Sequence, residues 1–559
     1  MASIRFPRLL IAGAAFLAAC TSKEGATSSA SSAGGTMVFA LVADPHDVFP
    51  PYVGDLAGRL VQDQVFDRLA EIGPELETIG DKDFSPRLAT KWTWAPDSLS
   101  IAFSLDPRAR WHDGKPVTAR DVKYSFWAFT DSVVGSTTRP LLANIDSVSI
   151  RDSLTPVFWF KKHTPEQFYD VAYQLIIMPE HVYGSIPAKE LRTSPLTRTP
   201  IGSGRFRFVK WDAGSRLELI ADTSNYRGRA KLDRVIIAPA DPQTGATQLL
   251  KGETDFVEAF PNDRVAELDS SAIARPLIQP VSGYVFMAMN RFDPKSTNRL
   301  HPIFSDKRVR RALSMAVDRV AMLHNVFGNT GALSHGPFPS SASYADTTLQ
   351  LPPFDTTAAN ALLDSAGWKV DDDGIRTKAG RPLKFNMVVP TTSLPRRRYA
   401  VLLQEQFRKI GAQVDLELLD NNACFARVQS GDFDTVLWAF APDPSAAGTK
   451  QVWSTSGIGP SGQNLLRYSN PKVDALLDSS ASTFDPQKMK AYTRKAFSQI
   501  IADAPAIFLY DLTLVYGINR RVNVAPTRTD EWWANLADWS IPADKRIDRD
   551  RIGLRAANP

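Results

Sequence analysis

Side chains that bind metals are scarce in this sequence. Its 559 residues include two cysteines, Cys20 and Cys424, and seven histidines. The histidines are scattered, with no pair at i and i+4 and no Cys/His cluster, so the spacing of a zinc site is missing. The sequence therefore predicts no metal site.

Catalytic motifs are also lacking. There is no G-x-S-x-G, no H-E-x-x-H and no complete phosphate-binding loop. Gly202-Ser203-Gly204 is followed by Arg205, so the third glycine of a dinucleotide fingerprint is missing. Ser469–Lys472 fits S-x-x-K, but no K-T-G follows, and we attribute the match to chance. No catalytic residue and no cofactor is predicted, which leaves binding.

No apolar run is long enough to span a bilayer. The run Leu9–Ala19 has about eleven residues and follows two arginines, whereas a spanning helix needs about 20. This pattern predicts a signal peptide over residues 1–19. It ends in Leu17-Ala18-Ala19-Cys20, which resembles a bacterial lipoprotein box and implies that Cys20 becomes the lipidated N-terminus.

The alternative for Cys20 is a buried or oxidised cysteine behind an ordinary signal peptide. The chain continues TSKEGATSSASSAGGT, so we predict that residues 20–36 form a flexible, lipidated tether. With Cys20 acylated, Cys424 has no partner and no intrachain disulfide is expected. Cys424 is predicted to be a buried, inert thiol, with a reactive thiol as the alternative.

Neither sign of charge dominates. The formal net charge is +5, and removing residues 1–19, which hold two arginines, lowers it to +3. Lysine and arginine are interspersed with acidic residues, so there is no nucleic-acid footprint. The composition, 43% apolar and 22% charged, is that of a globular protein, and the length predicts two or three domains.

Helix and strand patterns alternate between about residues 305 and 440. An apolar face predicts one helix that begins at Ser305 and ends at the C-cap Gly328. Periodicity also predicts helices at 358–367, 402–410 and 488–502 and strands at 414–418 and 434–440. Alternation of this kind favours an α/β fold with parallel strands.

The most informative stretch is Ser85–Phe126. Ile101, Phe103 and Leu105 alternate with smaller residues, which predicts a half-buried strand. Asp113-Gly114 provides a turn, and Thr118 precedes Asp121 by three residues, as in a capping box.

The order of these pieces resembles the family 5 solute-binding proteins, the dipeptide- and oligopeptide-binding receptors of bacterial ABC importers. That family has "P-x-L-A-x-x-W" followed by "W-H-D-G-x-P-V-T-A-x-D-V", which match Pro86–Trp92 and Trp111–Val122. Further landmarks match at Pro200–Gly204, Leu250–Asp255 and Phe304–Arg319. The resemblance extends over nearly the whole mature chain.

The resemblance implies an α/β, two-lobed fold like that of type II periplasmic binding proteins, in the large three-domain variant with a hinged interlobe cleft. The expected domain I is discontinuous and comprises 37–75, 196–275 and 505–559. Domain II is expected at 76–195 and domain III at 276–504. Such a receptor closes over its ligand by a hinge motion.

Peptide-binding members of the family pair the ligand's ammonium group with an aspartate three residues after a tryptophan. Trp438 matches that tryptophan, but Ala441 occupies the position of the acid. Asp443 follows two residues later and could replace it; the alternative is an aspartate that bonds only to its own loop. For Trp438 the alternative is core packing.

Three further residues are ligand candidates through the resemblance. Arg205 stands where the family often has proline and could meet an anion, or it is a surface arginine. Tyr284 and Asn290 match the family's strand near the interlobe crossover, where sheet packing is the alternative for Tyr284.

We therefore predict a monomeric, extracytoplasmic receptor, periplasmic or at the cell surface and anchored by lipid. It would deliver a peptide or similar solute to an ABC permease and its ATPase subunits. A non-peptide solute, such as a sugar or a metal complex, is one alternative. A secreted hydrolase is the other.

Overall fold

The computed structural model describes residues 33–391, 393–459 and 463–551. The predicted signal peptide, Cys20 and most of the tether lie outside them. Strands in the described residues are β1 (Thr36–Leu41), β2 (Ala70–Ile72), β3 (Phe84–Pro86), β4 (Ala89–Trp94), β5 (Ser100–Leu105), β6 (Ile145–Asp152), β7 (Thr155–Phe160), β8 (Phe206–Asp212), β9 (Arg216–Ala221), β10 (Arg234–Pro239), β11 (Phe256–Val257), β12 (Ala274–Met289), β13 (Phe292–Asp293), β14 (Ser296–Leu300), β15 (Ala332–Leu333), β16 (Lys369–Val370), β17 (Arg376–Lys378), β18 (Arg381–Pro382), β19 (Lys384–Pro390), β20 (Gln413–Leu419), β21 (Thr435–Phe440) and β22 (Ala506–Asn519).

The α-helices of the described residues are distributed along the whole chain. They are α1 (Leu56–Val65), α2 (Ala119–Thr130), α3 (Gln167–Ala172), α4 (Glu180–Tyr183), α5 (Ala188–Leu191), α6 (Pro242–Leu250), α7 (Val265–Ser270), α8 (Lys307–Met315), α9 (Arg319–Phe327), α10 (Thr356–Ser365), α11 (Leu394–Arg408), α12 (Asn421–Ser430), α13 (Ala446–Trp453), α14 (Pro471–Ser482) and α15 (Pro486–Asp503). None of the helices in the described ranges is both long and apolar enough to cross a membrane.

The largest sheet is mixed and has the strand order β20-β19-β21-β12-β22-β11-β1-β10-β9-β8. β19 pairs in parallel with β20 and β21, as the alternation of helices and strands predicts. β12 pairs antiparallel with β21 and β22. Two long strands, β12 and β22, therefore join the halves of this sheet.

The hydrophobic core is divided where β12 and β22 pass from one half to the other. One large cluster contains residues from Met37 to Leu277 and again from Tyr516 to Ile541. Two other clusters cover the faces of the sheet between Tyr284 and Tyr510. The pairing of β12 with β22 shifts register between Pro280 and Tyr284. We call residues 33–280 and 513–551 the first lobe, and the described residues of 281–512 the second lobe.

The chain forms the first lobe from β1 to β11, passes into the second lobe along β12 and returns to the first along β22. The three-domain boundaries given above stay a prediction.

Two of the family's sequence landmarks pack against each other in the first lobe. His112, in the W-H-D-G run, is half-buried, and its Nε2 lies 2.9 Å from the carbonyl oxygen of Gly204. The amide of Gly202 donates to His112 Nδ1 at 3.2 Å. A Cβ on Gly202 would lie 1.7 Å from the carbonyl oxygen of Val65, so only glycine fits there. Burial lowers the pKa of His112.

Local predictions for this region agree with the structure. β5 forms, with Ile101, Phe103 and Leu105 buried, although Ala102 between them is buried as well. Thr118 and Asp121 form the capping box of α2, with the Thr118 amide donating to Asp121 at 2.7 Å.

The single helix predicted from Ser305 to Gly328 is wrong. The chain forms α8 and α9 instead, separated at Ala316–Asp318. Asp318 starts the second helix by accepting from the amide of Ala321 at 3.0 Å, which satisfies a donor that a helix start leaves free. Gly328 does end α9, with a φ of 58°.

Candidate ligand-binding cleft

A cavity of about 580 Å³ lies between the two lobes. Its walls come from segments 50–76, 129–176 and 529–531 of the first lobe and from 281–282 and 441–444 of the second. The last of these segments follows the carboxyl end of β21. Ligands of open α/β sheets sit at such strand ends, and the volume is that of a small-molecule site.

The loop after β21 presents Asp443 to the cavity. One carboxylate oxygen of Asp443 accepts from the amide of Ser445 at 2.9 Å, which fixes the loop. The other accepts from the Tyr169 hydroxyl and from Gln174 Nε2, each at 3.4 Å and each across the lobe boundary. Both bonds are longer than the usual 2.7–3.2 Å. A ligand donor at normal distance would therefore replace them at little cost.

Glu166 makes a second contact between the lobes. Its carboxylate accepts from the Thr78 hydroxyl at 2.9 Å and from the amide of Ala446, at the start of α13, at 2.8 Å. Burial raises the pKa of Glu166, and burial together with Glu166 raises the pKa of Asp170 well above its usual range. The lobes are thus in direct contact.

Contacts at the edge of the lobe boundary add to this closure. The Nζ atom of Lys490 in α15 lies 3.1 Å from Glu77 Oε2. The rings of His163 and Phe484 are 4.2 Å apart. The structure is therefore that of a closed cleft.

A buried ion-pair network supports the side of the cavity formed by the first lobe. Arg68 pairs with Asp63 at 3.0 Å, and Arg528 pairs with Asp530 at 2.7 Å and with Glu531 at 3.2 Å. Burial and the neighbouring Asp63 raise the pKa of Glu531. Two arginines face three carboxylates here, and the raised pKa of Glu531 favours its neutral form, which balances the charge of the network. Each arginine is held by a carboxylate of the first lobe, so the network supports this wall structurally.

Of the six predicted ligand residues, Ala441 and Asp443 line the cavity. Trp438 does not, because the alternation along β21 turns it onto the sheet face beneath α12, where its ring lies 6.3 Å from Phe425. Core packing, the alternative weighed for Trp438, describes its place.

The other three predicted residues also lie away from the cavity. Tyr284 is fully buried and its hydroxyl accepts from Trp453 Nε1 at 3.1 Å. Asn290 donates to the carbonyl oxygens of Gly431 and Phe433. Arg205 pairs with Asp538 at 3.1 Å within the first lobe. Each has its polar groups engaged inside the protein, and none of the three lines this cavity.

The polar part of the wall formed by the first lobe is not predicted from the sequence. Tyr169 and Tyr173 stack with ring centroids 5.5 Å apart, and both line the cavity with Gln174. Their one sequence signal is a tyrosine pair at i and i+4, which places both rings on one helix face.

Residues 83–460 match the family model "Bacterial extracellular solute-binding proteins, family 5 Middle", which is more than half of the chain. The chain belongs to this family. It is therefore an extracellular solute-binding protein, and its two-lobed α/β fold is the fold of that family.

Named relatives cover most of this family 5 chain. The oligopeptide-binding protein AppA of Bacillus subtilis is 25% identical over 521 residues, 90% of this chain and 92% of AppA. A putative ABC transporter peptide-binding protein of Brucella ovis is 28% identical and covers 72% of this chain and 74% of its own length. The structure of NikZ from Campylobacter jejuni in complex with Ni(L-His) has a TM-score of 0.73 at 24% identity and covers 90% of this chain and 99% of NikZ.

Among the described residues, no three His, Cys, Asp or Glu side chains are grouped so as to hold a metal ion. Cys424 is free and buried, and burial raises the pKa of its thiol. This thiol lies outside the cavity lining.

Proposed function

We propose that this chain captures a peptide or peptide-like solute between its lobes and delivers it to an ABC-type importer. The solute would occupy the cavity between the lobes, and transfer to the permease would follow cleft opening. The names of AppA and of the Brucella ovis relative support the peptide and the ABC partner. The chain carries out no chemistry in this proposal, and the ATPase subunits of the importer supply the energy.

Asp443 is the proposed contact of the ligand's ammonium group. The supporting observation is its outer oxygen, which lines the cavity and accepts two bonds at 3.4 Å. Ala441 lines the same cavity without a charge and leaves the acidic role to Asp443. A carboxylate beside an ammonium group forms a charge-assisted hydrogen bond, the stronger kind.

The receptor is further proposed to be a monomer held at the membrane by lipid on Cys20. The support is the sequence Leu17-Ala18-Ala19-Cys20, which ends a signal-peptide pattern and precedes a tether without large apolar residues. More than one acyl chain gives stable anchoring.

Calorimetric titration of a peptide library into the mature protein tests the proposal. Asp443→Asn keeps the bond to Ser445 but removes the charge, and we expect it to weaken peptide binding about 30-fold or more. Asp97→Asn is a matched control, because Asp97 bonds the amide of Leu99 in the same way on the surface. Equal affinities for wild type and Asp443→Asn would reject the ammonium contact. Binding of sugars or metal complexes, without binding of any peptide, would reject the proposal that the solute is a peptide.

A further inference from the structure

One part of the cavity wall formed by the first lobe is apolar, in contrast to the polar part that faces Asp443. Val53, Leu56, Ile72, Leu76, Phe129 and Leu141 all line it. Leu76 and Phe129 are buried beneath the surface of this wall, at 2% and 1% exposure. The wall therefore continues the hydrophobic core into the cleft.

Two leucines of this wall remain exposed even though the lobes are closed. Leu56 is 45% and Leu141 is 41% exposed. Leu56 begins α1, whereas Leu141 belongs to the turn that follows α2. An apolar ligand group that packs against these leucines of the cavity lining would bury surface that otherwise faces water, at about 25 cal/mol per Å².

Arg59 lies one helical turn after Leu56 on α1, on the same face, and also lines the cavity. Its side chain is exposed. No carboxylate of the described residues pairs with it, whereas the other arginine of the cavity lining, Arg68, is held by Asp63. Arg59 is thus a free guanidinium beside an apolar surface.

We propose that Leu56, Arg59 and Leu141 form a subsite for an apolar group that carries a carboxylate next to it. In a peptide, this is a C-terminal residue with a large apolar side chain. The inference rests on the proposed function and adds a preference to it, because Asp443 would hold the ammonium end of the same ligand. The carboxylate can also come from an acidic side chain of the peptide. The peptides chosen below distinguish a side-chain carboxylate from the C-terminal one.

Calorimetry on the full mature chain tests the subsite with the tripeptides Ala-Ala-Leu and Ala-Ala-Ser, each as free acid and as amide. We expect wild type to prefer leucine over serine about tenfold or more. Leu56→Ser and Leu141→Ser should each reduce this preference. Arg59→Gln should reduce the preference for acid over amide and leave the preference for leucine in place. A second comparison uses Ala-Glu-Leu amide and Ala-Gln-Leu amide. Tighter binding of the glutamate peptide would show that a side-chain carboxylate is bound.

Two control variants match these substitutions. Leu196→Ser changes a leucine that is 43% exposed, a degree similar to that of Leu56 and Leu141, but that does not line the cavity. Arg397 occupies the same helical position in α11 as Arg59 in α1, with its amide bonded to the N-cap carbonyl, and is exposed outside the cavity. Both controls should bind like wild type. Thermal unfolding checks that every variant is folded.

The outcomes separate this subsite from the function on which it rests. If wild type binds all four tripeptides equally, the subsite is wrong and the peptide-binding function stands. If the preferences exist but persist in Leu56→Ser, Leu141→Ser and Arg59→Gln, the subsite is also wrong. If no peptide binds to wild type, both the proposed function and the subsite are overturned.

Discussion

The contact of Glu166 with the start of α13 predicts that the cleft closes more readily in acid. Glu166 joins the lobes through Ala446; its acidic neighbour across the boundary is Asp443, and Asp170 lies beside it in the first lobe. The nearby cation Lys490 is engaged by Glu77. Closure therefore brings carboxylates together without a cation between them, and burial raises the pKa of Glu166.

The raised pKa of Glu166 determines how closure depends on pH. A carboxyl group whose pKa is higher in the closed state binds protons more tightly there than in the open state. Closure is therefore most favourable below the ordinary carboxylate pKa, about 4. It weakens as the pH rises through the raised pKa values of Glu166 and Asp170.

Two substitutions at Glu166 separate the charge from the hydrogen bond. Glu166→Ala removes the acceptor for the Ala446 amide, and because hydrogen bonds to charged groups contribute about 1.5–3 kcal/mol, the closed-to-open ratio should fall roughly 10- to 150-fold. Glu166→Gln keeps an acceptor without charge. It should close at neutral pH at least as well as wild type and show a smaller pH dependence.

Small-angle X-ray scattering of the ligand-free protein between pH 4.5 and 8 measures the closed fraction. Glu190→Gln, an exposed glutamate of the first lobe, is the control and should behave as wild type. A closed fraction that is independent of pH in wild type, or unchanged in Glu166→Ala, would refute the reasoning.

Three further predictions concern stability and anchoring. Arg528→Ala should lower the free energy of unfolding by about 3–5 kcal/mol, because it leaves the half-buried Asp530 without its cation and the buried Glu531 with only the more distant Arg68; urea unfolding measures this, and a change below about 1 kcal/mol would contradict it. Gly202→Ala should prevent stable folding, because the added Cβ would lie 1.7 Å from the Val65 carbonyl oxygen; soluble expression with a wild-type unfolding transition would show that the backbone can adapt. Cys20→Ser should abolish detergent-phase partitioning of the processed protein, and unchanged partitioning would reject lipidation at Cys20.

Features that depend on neighbouring residues could be predicted from the sequence. The capping box of Thr118 and Asp121 needs only residues three apart. The end of α9 at Gly328 needs only a residue that accepts positive φ. The interruption at Asp318 was missed because the apolar face continues through it, whereas the capping bond to Ala321 decides the backbone path.

Features that depend on distant residues could be predicted only in part. The family motif makes Asp443 a candidate contact for the ligand, and its place after an apolar strand agrees with that, because ligands sit at strand ends. Its contact Tyr169 lies 274 positions earlier, and no pattern near Asp443 indicates that pairing. The paired strands β12 and β21 lie beside the cavity and contain Tyr284 and Trp438, and Asn290 follows β12. The rings of Tyr284 and Trp438 pack within the second lobe, and Asn290 donates to its backbone.

The central claim is that a peptide occupies the cavity between the lobes. Native mass spectrometry of the protein purified from its own host tests it most directly, with release of the bound solute under denaturing conditions and sequencing of what is released. We expect one solute per chain, with peptide masses, and loss of that solute from Asp443→Asn purified in parallel. A bound non-peptide solute, or equal peptide occupancy in Asp443→Asn, would contradict it.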